Sequence, residues 1–168
     1  IIGLGPAGMF CGLMLARAGY QPVILEQGAP MEERVADVEA FWQEQRLDES
    51  SNIQFGEGGA GTFSDGKLFT RSKKRGDYNK ALQTLVFHGA TPEILYEAHP
   101  HIGTDKLPRI MQNIRQTILG SGGQFVFGKR SYRWAAKSAS TRQRKILSQR
   151  TVRLPVLLRR ERRFHATV

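Results

Sequence analysis

The sequence predicts an α/β fold: a Rossmann-like βαβ unit with a partial parallel sheet in an incomplete domain, followed by an irregular basic tail. Three observations support this prediction. A spaced glycine motif opens the chain, apolar strand segments alternate with amphipathic helical segments up to residue 128, and both patterns then stop. Strands that alternate with helical patterns are typical of βαβ units and parallel sheets.

The opening segment combines the end of a strand, a glycine turn and the start of a helix. Gly3 permits the tight turn, Gly5 leaves the backbone bare for a pyrophosphate, and Gly8 lets the helix lie close to the strand. The helix, which we predict to begin near Ala7, directs unpaired N–H groups and the positive end of its dipole toward that phosphate. Since only two residues of the first strand are present, we expect that a few residues are missing in front.

The next strand, at 22–25, ends in the acidic residue Glu26. A carboxylate at this position can accept hydrogen bonds from both ribose hydroxyls of an adenosine. Strand, glycine turn, helix, strand and acid together predict a dinucleotide-binding unit. The alternative is a βαβ unit whose glycines serve only packing, which leaves Glu26 without a role.

Four further segments have regular patterns. We predict helices at 31–44, at 78–88 with Asp77 as the N-cap, and from 104 or 105 to 119, followed by a strand at 124–127. The first of these helices has one apolar face, formed by Met31, Val35, Val38 and Trp42.

A glycine-rich loop lies between the second and third helices. Five glycines occur within eleven residues, at positions 56, 58, 59, 61 and 66, which rules out a stable helix or strand. Large apolar residues, Phe55, Phe63 and Leu68, are interleaved with them, whereas flexible linkers combine glycine with serine or proline. This composition favours a loop that contacts a cofactor over a flexible linker.

The net charge of +10 is distributed unevenly. Residues 1–128 contain 12 Lys and Arg against 14 Asp and Glu, while residues 129–168 contain 13 against one and no glycine. We therefore divide the chain into a folded part at 1–128 and a basic tail at 129–168. The tail is interpretable as a nucleic-acid-binding arm, as a disordered terminus, or, as we favour, as translation out of frame.

The sequence carries only weak indications of the cellular compartment and of metal binding. Cys11 is the only cysteine, so no intrachain disulfide is possible, and we expect it to be buried on the first helix. No segment reaches the ~20 apolar residues of a membrane span, which predicts a soluble, cytoplasmic protein. His99 and His101 are two residues apart, but their spacing matches no zinc motif, so we predict no metal site.

Residues 1–128 resemble the N-terminal part of a bacterial family of FAD-dependent dehydrogenases, distant relatives of the glutathione-reductase-like flavoproteins. The glycine-rich loop is the most specific of the segments that carry this resemblance. The segments are GLGPAG at 3–8, EERV at 32–35, DVEAFW at 37–42, NIQFGEGGAGTFSDGKL at 52–68 and PHIGTD at 100–105.

The resemblance implies FAD as the cofactor, with three groups of contacts. The FAD pyrophosphate would be held by Gly3, Gly5, Pro6, Ala7 and Gly8. Glu26 would bind the adenosine ribose. The flavin side would be lined by Gly59, Ala60, Gly61 and Thr62.

The implied function is that of an FAD-binding oxidoreductase acting on an unidentified small molecule, here as a truncated N-terminal portion. Whether this portion is itself an enzyme stays open, because the later cofactor and substrate segments of the family have no counterpart in 129–168. We identify no catalytic residue, and His101 and Asp65 are the nearest candidates. The alternatives are a nucleic-acid-binding protein that acts through the tail, which we favour less, and a fragment without function.

Overall fold

Four helices and two short parallel strands make up most of the regular structure in the described residues. The computed structural model describes residues 1–68 and 76–129, which fall within one unit spanning Ile1–Ser131. The elements in these residues are α1 (Pro6–Arg17), β1 (Val23–Leu25), α2 (Met31–Glu44), α3 (Tyr78–Phe87), α4 (Leu107–Gly120) and β2 (Gln124–Val126), with short 3₁₀ helices at Ala60–Phe63 and Pro92–Leu95.

The sheet is parallel and centres on β1. On one side β1 pairs with β2, and Ile24 lies opposite Phe125. On the other side Ile2 forms a parallel bridge with Leu25, and the amide of Leu25 donates to the carbonyl of Ile1 at 2.9 Å. The described residues thus form a helical unit with a small parallel sheet, which is compatible with the predicted α/β class, and the Rossmann-like arrangement stays a prediction.

One face of the sheet packs against α1 and α4 to form the core. Ile24 is fully buried at the centre of β1, and a Cβ at Gly12 of α1 would lie 2.6 Å from its Cδ1 atom. Glycine at position 12 therefore lets α1 approach the sheet closely. Other fully buried members of this cluster are Leu4, Met9, Leu13, Met31, Ile114 and Ile118.

The opposite face of the sheet is left open by the described residues. Ile2 is 60% exposed and Val23 is 43% exposed, although both belong to the sheet. Alternation along a strand places these residues on the face away from Ile24. Within the same described part of the chain, no helix has the length and apolar character needed to span a membrane.

The predicted helix bounds agree closely with the structure. α2 has the bounds 31–44 that its periodicity predicts. Asp77 caps α3 by accepting a hydrogen bond from the amide of Lys80 at 3.1 Å, as predicted. α4 begins two residues later than predicted, because residues 104–106 form a turn in which the amide of Lys106 donates to the carbonyl of Gly103 at 3.0 Å.

Two burial expectations are wrong. Cys11 is exposed, because it lies on the side of α1 that faces away from the sheet. Trp42, placed by its periodicity on the apolar face of α2, is 60% exposed, and its ring forms an edge contact with that of Phe63, at 6.4 Å between centroids. The basic run at 71–75 and the tail beyond Lys129 lie outside the described residues.

Candidate functional site

A cleft of about 290 Å³ lies where the opening turn, the end of β1 and the glycine-rich loop meet. Its walls include Gly3 and Gly5 from the turn, Glu26 from the end of β1, and Phe55 and Gly59 from the loop. Together with Lys129, these segments, which are far apart in the sequence, form one concave surface. Four of the residues predicted to contact a cofactor line it together.

The glycines of the opening turn have distinct roles in its geometry. Gly3 has a φ of +89°, which favours glycine, and a Cβ at Gly8 would overlap the carbonyl oxygen of Gly3. Gly8 therefore allows α1 to start directly against the turn. A Cβ at Gly5, by contrast, would meet no atom of the described residues within 4 Å. Packing among the described residues therefore does not require glycine at position 5.

The N-terminus of α1 lies at this edge of the cleft. Gly5 is the N-cap, Pro6 occupies the first turn, and no side chain of the described residues caps the helix. The first hydrogen bond along the helix runs from the amide of Met9 to the carbonyl of Gly5, at 2.9 Å. The partial positive charge of the helix end is thus available to an anion.

Glu26 is almost fully buried beside the turn. Its Oε2 atom accepts from the amide of Leu4 at 2.7 Å, and its Oε1 atom accepts from the amide of Gly28 at 2.9 Å. This carboxylate therefore ties the glycine turn to the end of β1, a structural role that the sequence interpretation left out. Each carboxylate oxygen retains further acceptor capacity, which a ribose hydroxyl can use.

The glycine-rich loop packs directly on the turn. The amide of Gly58 donates to the carbonyl of Leu4 at 2.9 Å, and a Cβ at Gly59 would lie 3.0 Å from the Cα atom of Gly5. Both loop glycines have positive φ, +83° and +68° respectively. The backbone of the loop therefore forms one side of the cleft at a distance that a side chain would prevent.

The other predicted contact residues lie outside the lining of the cleft. Ala60 and Gly61 are exposed in the 3₁₀ turn that follows Gly59, and Thr62 is buried with no hydrogen-bond partner for its Oγ1 atom among the described residues. Pro6 and Ala7 are exposed at the start of α1. The assignment of these residues to a cofactor stays a prediction.

Arg34 is a residue of the site that the sequence interpretation missed. It is fully buried, and its Nε and Nη2 atoms donate to the carbonyls of Asn52 and Ile53 at 3.0 and 2.9 Å. Its Nη1 atom donates to the carbonyl of Glu57. The side chain thus fixes the backbone on both sides of the cleft-lining segment 54–56. A signal was present, because position 34 shares a helix face with the buried Met31.

Burial lowers the pKa of Arg34 to about 10, while the carboxylates of Glu26 and Glu57 act in the opposite direction. Because this pKa is well above 7, the guanidinium remains charged at neutral pH. It also lies over the ring of Phe63, 4.9 Å from the centroid. The loop is therefore built around a buried cation that donates hydrogen bonds to three carbonyl groups and is stabilised by the charges of Glu26 and Glu57.

Glu57 is the second buried charged residue of the loop. Its Oε2 atom accepts from the amide of Met31 at 2.7 Å, so Glu57 caps the N-terminus of α2 although it lies 26 residues later in the sequence than Met31. Its Oε1 atom lies 3.1 Å from Nε of Arg115 on α4, which also pairs with Glu32. Burial raises the pKa of Glu57, although the Met31 amide and Arg115 counteract it.

The two candidate acid–base residues are elsewhere. Asp65 is exposed and pairs with Lys67 at 2.6 Å, and Lys67 in turn forms an antiparallel bridge with the exposed His101. Neither residue lines the cleft. In residues 1–68 and 76–129 no three His, Cys, Asp or Glu side chains are grouped so that they could hold a metal ion.

Comparison with known proteins gives one informative match. No family model matches the chain. A protein of Clostridium beijerinckii that is described as uncharacterized is 47% identical over 130 residues. These residues make up 77% of this chain and 24% of the Clostridium protein, so the chain spans about a quarter of the length of that relative.

Proposed function

We propose that the cleft binds the pyrophosphate and adenosine of FAD, and that the chain is the cofactor-binding part of a flavin-dependent oxidoreductase. One observation supports this proposal above the others: the glycine turn, Glu26 and the glycine loop border the same cleft. A bare backbone and a helix N-terminus suit a phosphate, and a carboxylate beside them suits a ribose.

The surroundings of Gly5 and Glu26 fit such a cofactor. The direction in which a side chain would project from Gly5 is open, and Glu26 lines the cleft while backbone amides hold it in place. FAD, when bound, would supply the hydride or electron-pair chemistry, and the protein would hold and orient it. The choice of FAD over another dinucleotide rests on the resemblance of 1–128 to flavin-dependent dehydrogenases.

The first test is to express the 168-residue chain with added FAD and to record its absorbance spectrum after gel filtration. We expect a yellow protein that retains flavin. The variant Gly5→Leu separates binding from folding, because the new side chain meets no described atom at Cβ but projects into the space that the phosphates require. We expect Gly5→Leu to lose at least tenfold in FAD affinity, with an unfolding midpoint close to that of the original chain.

Gly120→Leu is the matched control. A Cβ at Gly120 also meets no described atom within 4 Å, but this residue lies at the end of α4 and does not line the cleft. Flavin retention should be unchanged in this variant. A colourless original chain, or equal FAD binding by the original and Gly5→Leu chains, would contradict the proposal.

A further inference from the structure

The lining of the cleft includes an aromatic side chain that the proposed function does not yet use. Phe55 is 38% exposed and lines the cleft between Gln54 and Gly56, close to Glu26. A large apolar ring that lines an open cleft leaves apolar surface in contact with water. A flat ligand group placed on the ring would cover that surface.

The backbone that carries this ring is held in place before any ligand binds. The Oδ1 atom of Asn52 accepts from the amides of Gln54 and Phe55, at 2.8 and 3.3 Å. The amide of Asn52 donates in return to the carbonyl of Phe55 at 3.1 Å. The backbone turn that presents Phe55 is thus closed by three hydrogen bonds.

Arg34 holds the same turn from the inside of the protein. Its bonds to the carbonyls of Asn52 and Ile53 come from a fully buried side chain, and the bond to Asn52 is itself buried. A ring on a turn held in this way loses little conformational entropy when a ligand stacks on it. The arrangement is that of a preformed platform.

The neighbours of Phe55 indicate which ligand group the platform fits. If Glu26 binds the ribose, the base that the ribose carries extends from Glu26 away from the pyrophosphate. Phe55 is the neighbour of Gly56, and a Cβ at Gly28, two residues after Glu26, would lie 2.5 Å from the Cα atom of Gly56. The volume of about 290 Å³ is at the small end of ligand pockets, so it accommodates one nucleoside portion rather than a whole dinucleotide. A purine has the flat face that stacks on an aromatic ring.

We infer that Phe55 is a purine-stacking residue, and that Arg34 and Asn52 are positioning residues that hold it against the adenine of the bound nucleotide. This inference deepens the proposed function and rests on it. It assigns the adenine end of the cofactor to segment 52–56, and it predicts that adenosine diphosphate alone binds to the same cleft.

The test compares three ligands on the full chain: FAD and FMN by flavin fluorescence, and ADP by titration calorimetry. We expect Phe55→Ala to weaken FAD and ADP binding about tenfold, as expected for the loss of one stacked base. FMN shares the flavin but has no adenine, so any binding of FMN should be the same in both chains. Phe55→Trp should bind FAD and ADP as the original chain does.

Two further variants serve as controls. Phe55→Leu keeps an apolar side chain but no aromatic face, and we expect it to behave as Phe55→Ala does while it unfolds at the same urea concentration as the original chain. Phe87→Ala removes another exposed phenylalanine, on α3 and outside the cleft lining, and should leave all three ligands unaffected.

The outcomes separate this inference from the proposed function. Tight FAD binding that Phe55→Ala and Phe55→Leu leave unchanged overturns the stacking role alone. A loss of FMN binding as large as the loss of FAD binding also overturns it, because the ring would then act on the flavin. An original chain that binds neither FAD nor ADP overturns both proposals.

Discussion

Two buried charged residues, Arg34 and Glu57, determine the shape of the glycine-rich loop. A loop with five glycines in eleven residues has few side chains of its own to pack, and its backbone groups need partners. Arg34 supplies donors to three loop carbonyls, and Glu57 extends from the loop to the start of α2. Removing either partner would leave buried polar groups unpaired, which costs far more than an exposed ion pair contributes.

The raised pKa of Glu57 makes a prediction about the pH dependence of stability. An unfolded glutamate loses its proton near 4.5, while the folded Glu57 carboxyl loses it at higher pH because it is buried. Between these two pKa values the folded chain binds more protons than the unfolded chain, so the contribution of Glu57 to the free energy of unfolding falls as the pH rises. Above the folded pKa the contribution is constant.

The variant Glu57→Gln does not titrate at this position. Urea unfolding from pH 4.5 to neutral pH should therefore show the original chain losing stability relative to Glu57→Gln as the pH rises. Glu39→Gln, at an exposed position of helix α2, whose N-terminus Glu57 caps, should not produce this relative change. If the original chain instead gains stability relative to Glu57→Gln with rising pH, pairing with Arg115 outweighs burial, and the direction of the pKa shift is wrong.

At the scale of elements, the sequence predicts what depends on neighbouring residues. The bounds of α2 and the Asp77 cap of α3 follow from spacing and from cap chemistry, so both are predictable. The burial of Arg34 is not predictable in the same way, because its partners are carbonyl groups 18 to 23 residues away. The exposure of Trp42 depends likewise on which side of α2 the loop covers.

The residues of the cleft also divide into those that a local pattern predicts and those that depend on contacts distant in the sequence. Glycine spacing and the acid at the end of β1 indicate Gly3, Gly5 and Glu26, because a short βαβ unit fixes where these residues lie. The contribution of Phe55 depends on how the glycine-rich loop folds back over the turn, which no local pattern encodes. Composition indicated that this loop meets a flat surface, but the residue that faces the cleft emerged only from the structure.

The contact between α1 and the turn makes a prediction about Gly8. In Gly8→Ala the new methyl group would overlap the carbonyl oxygen of Gly3, and a backbone atom in a tight turn has little freedom to move. We expect a loss of about 3 kcal/mol in the free energy of unfolding, at the upper end for overpacked sites. Urea denaturation followed by circular dichroism measures this.

Gly120→Ala is the matched substitution at an open helical position, where the methyl group meets no described atom within 4 Å. Alanine reduces the conformational entropy of the unfolded chain. Gly120→Ala should therefore leave the free energy of unfolding unchanged or raise it by about 0.5 kcal/mol. Equal effects of the two substitutions would show that Gly8 does not mediate a close contact between α1 and the turn.

At the scale of the whole described unit, the sheet is packed on one side only. Ile1, Ile24 and Phe125 belong to the face that α1 and α4 cover, while Ile2 and Val23 are exposed on the other. β1 is the central strand of this sheet, and Glu26 at its end lines the cleft. We therefore expect the packed face to contribute most of the stability of the unit. The contribution of each face can be measured by the same chemical change on both.

Ile→Val removes one methyl group, at position 24 on the packed face or at position 2 on the open face. Ile24 is fully buried, and its Cδ1 atom is the group that α1 meets at Gly12, so Ile24→Val should leave a small cavity and cost about 1 kcal/mol. Ile2 is 60% exposed, so Ile2→Val should change the free energy of unfolding by less than about 0.5 kcal/mol. Denaturant titration of both variants provides the comparison, and an equal or larger cost at Ile2 would mean that the open face is covered in solution.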